Sequence, residues 1–462
     1  MRRTDQPNII FIVIDAARAD HFSCYGYERK TTHNIDNLAS ESTLYENAIS
    51  AAGWTLPSHA SMFTGTYPSK HGVHNENHVY DGKYPTIAEI MQSNGYDTVG
   101  FCTNDWISAA TGLSKGFEQF YNFHYGVINH KLTRMLNYLR IHGKDSWSYE
   151  INRSVMNWIK RHDPSEPYFM FIHYGELHLP YQIPAPFNTK FLPKGMSYKE
   201  ASRVNQDPKA YYAGMVKMTE KDFCISKDLY DCALAYQDSE LGRLVQFLKT
   251  RGDLDDTILI VTSDHGESLG EHQHIDHYYV LYDCLLRVPL IVRFPSVFKA
   301  GLRESRMVQT LDILPTLQAL LNLSGIKPDV MQGYPLPPLD KEKGVRSFTI
   351  SERFKDLKGL RETYPDVNFD HLKKWELDRK IAIRTEQYKL IQSDEFDSEL
   401  YDLKNDPHEI HNVIEAKLDI ASELCNKIRE WQSRFKSAAI ENKEAEFDEA
   451  VKKRLKALGY LG

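Results

Sequence analysis

The chain has 462 residues, of which 42% are hydrophobic, 26% charged and 12% aromatic, and it carries a net charge of −7. That is ordinary globular composition and excludes disorder, collagen and coiled coil as descriptions of the whole. The acidic balance, 56 Lys plus Arg against 63 Asp plus Glu, argues against a general nucleic-acid binder. Single cores stop growing near about 250–300 residues, so the length predicts one large unit and a smaller appended one. No segment approaches the ~18 consecutive apolar residues of a membrane helix. The polar start Met1–Gln6, followed by a short strand-like run ending on Asp15, does not read as a signal peptide. Six cysteines are scattered without a CxxC spacing and read as small apolar residues in a reduced setting. The expectation is a cytoplasmic protein.

In chain order, apolar β-branched runs alternate with helical patterns, which predicts an α/β fold with a large, mostly parallel sheet flanked by helices. Strands are expected at Ile9–Ile14, Thr98–Cys102, Tyr168–His173, Thr257–Thr262 and Pro289–Arg293. Helices are expected at Ser58–Thr64, Thr86–Ser93, Asn152–Arg161, Tyr230–Arg251 and Thr310–Leu321. Asn122–Ser148 and Pro184–Lys227 have weak periodicity and read as insertions that wall a site. Beyond about residue 346 the pattern becomes short strands (Ser347–Glu352, Lys380–Arg384, Tyr388–Gln392, Glu399–Leu403) and an amphipathic helix, Ala416–Phe435. This predicts a catalytic domain over 1–345 and a smaller α+β domain with an antiparallel sheet and a helical tail over 346–462.

The polar residues at strand ends carry the chemistry. Asp15 follows the first strand, His178 follows Tyr168–His173 by a short turn, and Asp264 and His265 follow Thr257–Thr262. Ligands of open α/β sheets bind outside the carboxyl ends of the strands, so these four residues are expected to converge. Two carboxylates and an imidazole suit one divalent cation, Mn²⁺, Mg²⁺, Ca²⁺ or Zn²⁺. Thr55 precedes a helix whose first turn holds Pro57, and a helix N-terminus favours a bound oxyanion. A metal touching that hydroxyl would make it a usable nucleophile.

Five segments in order then resemble one family: Asn8–Tyr27, Trp54–His71, Tyr168–Tyr181, Ser263–His272 and Ile383–His408. Together they resemble the sulfatase family of the alkaline phosphatase superfamily over nearly the whole chain. The resemblance implies a large α/β domain with one divalent metal, a smaller C-terminal domain and hydrolysis of a sulfate- or phosphate-type ester. Carried over by position, it implies Asp15, Thr55, Asp264 and His265 as metal ligands and Thr55 as nucleophile. His178 and His274 are implied as catalytic contacts, with His274 or His277 on the anion. Asn75, Asn77, Asn104, His59 and His277 become candidates for substrate contact. The cluster His272, His274 and His277 reads as a loop in preference to a second metal site.

The departures set the chemistry. Sulfatases usually carry Cys or Ser in Cys-x-Pro-x-Arg, whose first residue is oxidised to formylglycine; this chain has Thr55-Leu56-Pro57-Ser58-His59. Oxidation of a secondary alcohol gives a ketone, so no formylglycine forms here. The acidic residue expected after Asp15 is Ala16. A threonine ester must be broken by attack at its central atom, which favours phosphorus. The expected activity is therefore cleavage of a phosphate diester or phosphonate ester, with a sulfate ester, as in an arylsulfatase, or phospho-group transfer from the same threonine as alternatives. The expected partner is a small-molecule ester, with no nucleic acid or membrane; homo-oligomerisation is left open.

Overall fold

In the computed structural model, which describes residues 6–75, 77–123, 147–277, 279–326, 330–340, 346–355, 367, 378–434 and 443–457, strand β1 (Asn8–Ile14) takes the middle of a nine-stranded sheet. It pairs in parallel with β5 (Tyr168–Tyr174) on one side and β6 (Thr257–Thr262) on the other. Beyond β5 come β3 (Asp97–Cys102) and β4 (Gln119–Asn122), both parallel. Beyond β6 the order is β10 (Leu290–Arg293), β2 (Thr43–Ile49) and β11 (Leu302–Gln309), with the short β9 (Arg287–Val288) also on β2. β10 runs antiparallel to both its neighbours, while β11 is parallel to β2.

Why β1 is apolar along its whole length follows from its two covered faces. Alternate side chains of a strand point to opposite sides. Ile10, Ile12 and Ile14 pack with Ile151 and Val155 of helix Ser148–Arg161 and Leu234, Leu241 and Leu248 of helix Glu220–Arg251. Ile9, Phe11 and Val13 pack on the other side with Leu56 and Phe63 of helix Thr55–Thr64, Ile90 of helix Ile87–Ser93, and Leu317 of helix Ile313–Leu321. Each face therefore has its own core, and the polar residues after the strand carboxyl ends sit between the two.

The second sheet is antiparallel: β12 (Thr349–Arg353), β13 (Lys380–Arg384), β14 (Tyr388–Ser393) and β15 (Glu399–Asp402). Ile350, Ile381, Ile383 and Leu390 cover helix Leu418–Ser433 through Leu424, Ile428 and Trp431. β12 leans on the segment that leads into helix Thr55–Thr64: Glu352 N donates to Ala51 O at 2.9 Å, and Ser351 Oγ to Ser50 O at 2.6 Å. Residues 443–457 return to the large unit, where Phe447 and Leu455 are buried in its core and Phe447 meets Trp106 edge-on.

Several elements differ from expectation. β2 and β11 escaped notice because Glu46-Asn47 interrupts one and the other alternates exposed and covered residues near the sheet edge. Helix Glu220–Arg251 begins ten residues before the expected Tyr230, opened by a Thr219–Asp222 capping box inside the stretch taken as an irregular insertion. Helix Thr55–Thr64 begins at Thr55 itself, with Trp54 as its N-cap. Of the other insertion, residues 124–146 lie outside the described residues.

Candidate metal and catalytic centre

β1, β5 and β6 deliver Asp15, His173 and the pair Asp264–His265 to adjacent positions because the three strands lie in parallel register, Val13 opposite both His173 and Thr262. The helix Thr55–Thr64 points its first residue at them. Thr55 Oγ stands 3.3 Å from His265 Nε2. Because His265 Nδ1 donates to Gly266 O (2.8 Å), Nε2 presents its lone pair toward that hydroxyl. Asp15 and Asp264 close the ring: His265 Nε2 is 3.5 Å from Asp15 Oδ1 and 3.4 Å from Asp264 Oδ2. Donor atoms of Asp15, Asp264 and His265 lie within 4.8 Å of one another.

The backbone has been bent to make room. Ala16 adopts φ +59°, a left-handed conformation that costs an alanine about 1–2 kcal/mol. It is held by its N–H on Asp264 Oδ1 (3.3 Å) and its carbonyl under Tyr230 Oη (2.8 Å). Two serines fix the other wall: Ser50 Oγ and Ser58 Oγ both donate to the Asp264 carbonyl, at 2.5 and 2.7 Å.

A divalent cation fits this set. Asp15 Oδ1 and Asp264 Oδ2 are buried without a hydrogen-bond partner, a costly state that a cation relieves. Burial, reinforced by the neighbouring Asp264, raises the Asp15 carboxyl pKa. Burial raises that of Asp264 to about 6 and, with the nearby His277, lowers His265 to about 3, leaving the neutral imidazole that metal ligation requires.

The remaining expected residues divide. Asn104 Nδ2 donates to Asp15 Oδ2 at 3.2 Å, so it orients that carboxylate. His178 Nδ1 donates to Leu179 O (2.7 Å), and its ring lies 5.1 Å from that of His277. His277 lies 4.3 Å from the His265 ring, pairs through Nδ1 with Asp276, and has Glu267 Oε1 at 3.8 Å. Burial alone would depress its pKa; the two carboxylates outweigh burial and raise it well above the ordinary value. His274 pairs instead with Tyr212 Oη at 3.0 Å. Asn75 O accepts from His78 Nε2 (3.0 Å) and Asn77 Nδ2 donates to Gly72 O (2.6 Å), so both brace the turn after His71. His59 is fully buried beside Asp264, its Nδ1 3.6 Å from Oδ2.

Sequence reasoning passed over His173, Glu267 and Asp276. The strand-end rule that selected Asp15 would have selected His173, but it was counted into an apolar run. The resemblance segment Ser263–His272 contained Glu267 without giving it a role. Arg18 pairs with Asp20 (2.8 Å) and with Glu271 (2.7 Å).

Comparison with known proteins converges on one group. A family model described as Sulfatase matches residues 7–323, and one described as N-sulphoglucosamine sulphohydrolase, C-terminal, matches 270–434. The chain is 25% identical to the N-acetylglucosamine-6-O-sulfatase of Bacteroides thetaiotaomicron over 96% of its own length and 89% of that protein's. It is 25% identical to the uncharacterized sulfatase YidJ of Escherichia coli (strain K12), over 93% and 88%. The phosphonate monoester hydrolase of Agrobacterium radiobacter shares the fold, with a TM-score of 0.74 at 21% identity over 93% of this chain and 96% of that one.

Proposed function

Starting from the chain's membership of the sulfatase family, and hence from an ester hydrolase, we propose that it cleaves phosphate diesters or phosphonate esters with Thr55 as nucleophile. The observation that carries this reading is the residue at the head of helix Thr55–Thr64: a secondary alcohol, unable to become an aldehyde, 3.3 Å from His265 Nε2. Asp15, Asp264, His265 and Thr55 would hold one divalent cation, which when bound lowers the hydroxyl pKa and offsets charge on the transferring group.

Thr55, as the alkoxide left when its hydroxyl proton passes to solvent, attacks phosphorus through Oγ as the bond to the leaving oxygen breaks, and the helix N-terminus faces the equatorial oxygens. His277, held protonated between Asp276 and Glu267, gives its proton to the leaving oxygen. Water then attacks phosphorus, the Thr55 Oγ–P bond breaks, and the neutral imidazole takes the water's proton. His178, facing His277, steadies the leaving side.

The test is a panel of nitrophenyl sulfate, nitrophenyl phosphate, bis-nitrophenyl phosphate and a phenylphosphonate ester on metal-reconstituted protein. Dominant cleavage of the two phosphorus diester-type substrates is expected. Dominant sulfate cleavage overturns the threonine argument, and product appearing only on an added alcohol means transfer.

A further inference from the structure

Two imidazoles beside this centre have no role in the scheme above. His59 lies one turn along the nucleophile helix and His173 near the end of β5; both are 0% exposed. His59 Nδ1 donates to Thr55 O at 2.8 Å, and His173 Nδ1 shares a hydrogen bond with Thr103 Oγ at 3.0 Å. That leaves the two Nε2 atoms, both buried and both without a hydrogen-bond partner. Metal-ligating histidines have this disposition, one ring nitrogen fixed by a carbonyl or hydroxyl and the other presented bare. Their rings are 5.2 Å apart, and donor atoms of His59, His173 and Asp264 fall within 4.8 Å of one another, His59 approaching Asp264 Oδ2 most closely through Nδ1, at 3.6 Å. Asp264 thus belongs to two donor groups at once. His173 Nε2 is also 3.5 Å from Asp15 Oδ2, so the groups adjoin.

We infer that His59, His173 and Asp264 form a second cation subsite, sharing Asp264 with the first, so that the centre takes two metal ions. The inference rests on the metal-dependent reading above and extends it. Two imidazoles with one carboxylate select a borderline transition ion such as Zn²⁺, Mn²⁺ or Fe²⁺, whereas Ca²⁺ and Mg²⁺ prefer all-oxygen sets. Charge agrees: two divalent cations against Asp15, Asp264, a Thr55 alkoxide and a singly charged diester sum to zero. It also gives His59 a purpose at the position where the family pattern has arginine: a neutral ligand for a mobile cation replaces a fixed one.

The test is metal stoichiometry by mass spectrometry on full-length protein loaded with Zn²⁺ or with Ca²⁺ and freed of excess ion. Two equivalents of Zn²⁺ and one of Ca²⁺ are expected in the parent, and one of Zn²⁺ in His59→Ala and His173→Gln. The parent's Zn²⁺-to-Ca²⁺ contrast stands even if a variant fails to fold. One equivalent of Zn²⁺ in the parent overturns the subsite and leaves the first site standing. Two equivalents unaffected by either folded variant overturn its placement. No bound ion of either kind overturns the metal-dependent reading itself.

Discussion

Thr55 Oγ and His265 Nε2 stand 3.3 Å apart although 210 residues separate them in the chain. The two belong to different layers, one heading a helix and one following the strand β6, and what brings them together is the Asp264 carbonyl gripped by Ser50 and Ser58. The catalytic reading turns on this pair. Thr55→Ala removes the attacking oxygen while leaving Asp15, Asp264 and His265 in place. Turnover of bis-nitrophenyl phosphate is expected to fall by at least about 10³-fold, with metal content by mass spectrometry nearly unchanged. Retained turnover sinks the nucleophile assignment.

His277 as proton donor predicts dependence on the leaving group. His277→Ala is expected to slow esters of poor leaving groups, such as alkyl alcohols, by about 10²–10⁴-fold and nitrophenyl esters far less, because nitrophenolate departs without protonation. Equal losses on both, measured as kcat/KM across a series of leaving groups, would mean that His277 holds the anion and moves no proton.

Acid lability follows from His71. It is fully buried, accepts the Val73 N–H on Nδ1 at 3.1 Å and bonds Ser61 Oγ through Nε2 at 3.0 Å. Burial lowers its pKa to about 3. A histidine depressed in the folded state is protonated first in the unfolded one, so its contribution to stability is complete above about pH 6.5 and is lost as pH falls from there toward 3. His71→Gln, which keeps a donor and an acceptor, is expected to flatten the fall of the urea midpoint across that window. An unchanged slope would assign acid lability to other groups.

Gly266 is confined by backbone. A Cβ there would lie 2.0 Å from the Cys284 carbonyl oxygen, because Gly266 N and Glu267 N bond Leu285 O and Cys284 O at 2.7 and 3.2 Å. Gly266→Ala must push the Gly266–Glu267 segment away from helix Asp283–Leu286 next to His265. A loss of about 3 kcal/mol or more in denaturant unfolding is expected, with weakened metal binding. A neutral substitution would show that this loop shifts freely.

The sequence was most informative where one physical demand acted alone. β1, β5 and β6 are covered on both faces, so each is a continuous apolar run, and the polar residues just beyond them stood out. β2 and the start of helix Glu220–Arg251 answer to two demands at once, partial exposure and partial burial, and their patterns blurred. His59 and His173 were obscure for another reason: their chemistry depends on which ring nitrogen is left over, and hydrogen bonds to Thr55 O and Thr103 Oγ decide that only in three dimensions. His277 and His274 are three residues apart in one loop, and only the turn through Asp276, at φ +64°, sends one to His265 and the other to Tyr212.

The central position of β1 has a consequence for synthesis. Its partners are β5 and β6, which begin at residues 168 and 257, while β1 itself leaves the ribosome first. At about 5–20 residues per second the most apolar strand of the large sheet waits some ten seconds or more for its second neighbour. Throughout that interval six of its seven side chains, all destined for complete burial, face water or a chaperone. The strand that anchors the centre is thus also one whose nascent form the cell has to shield.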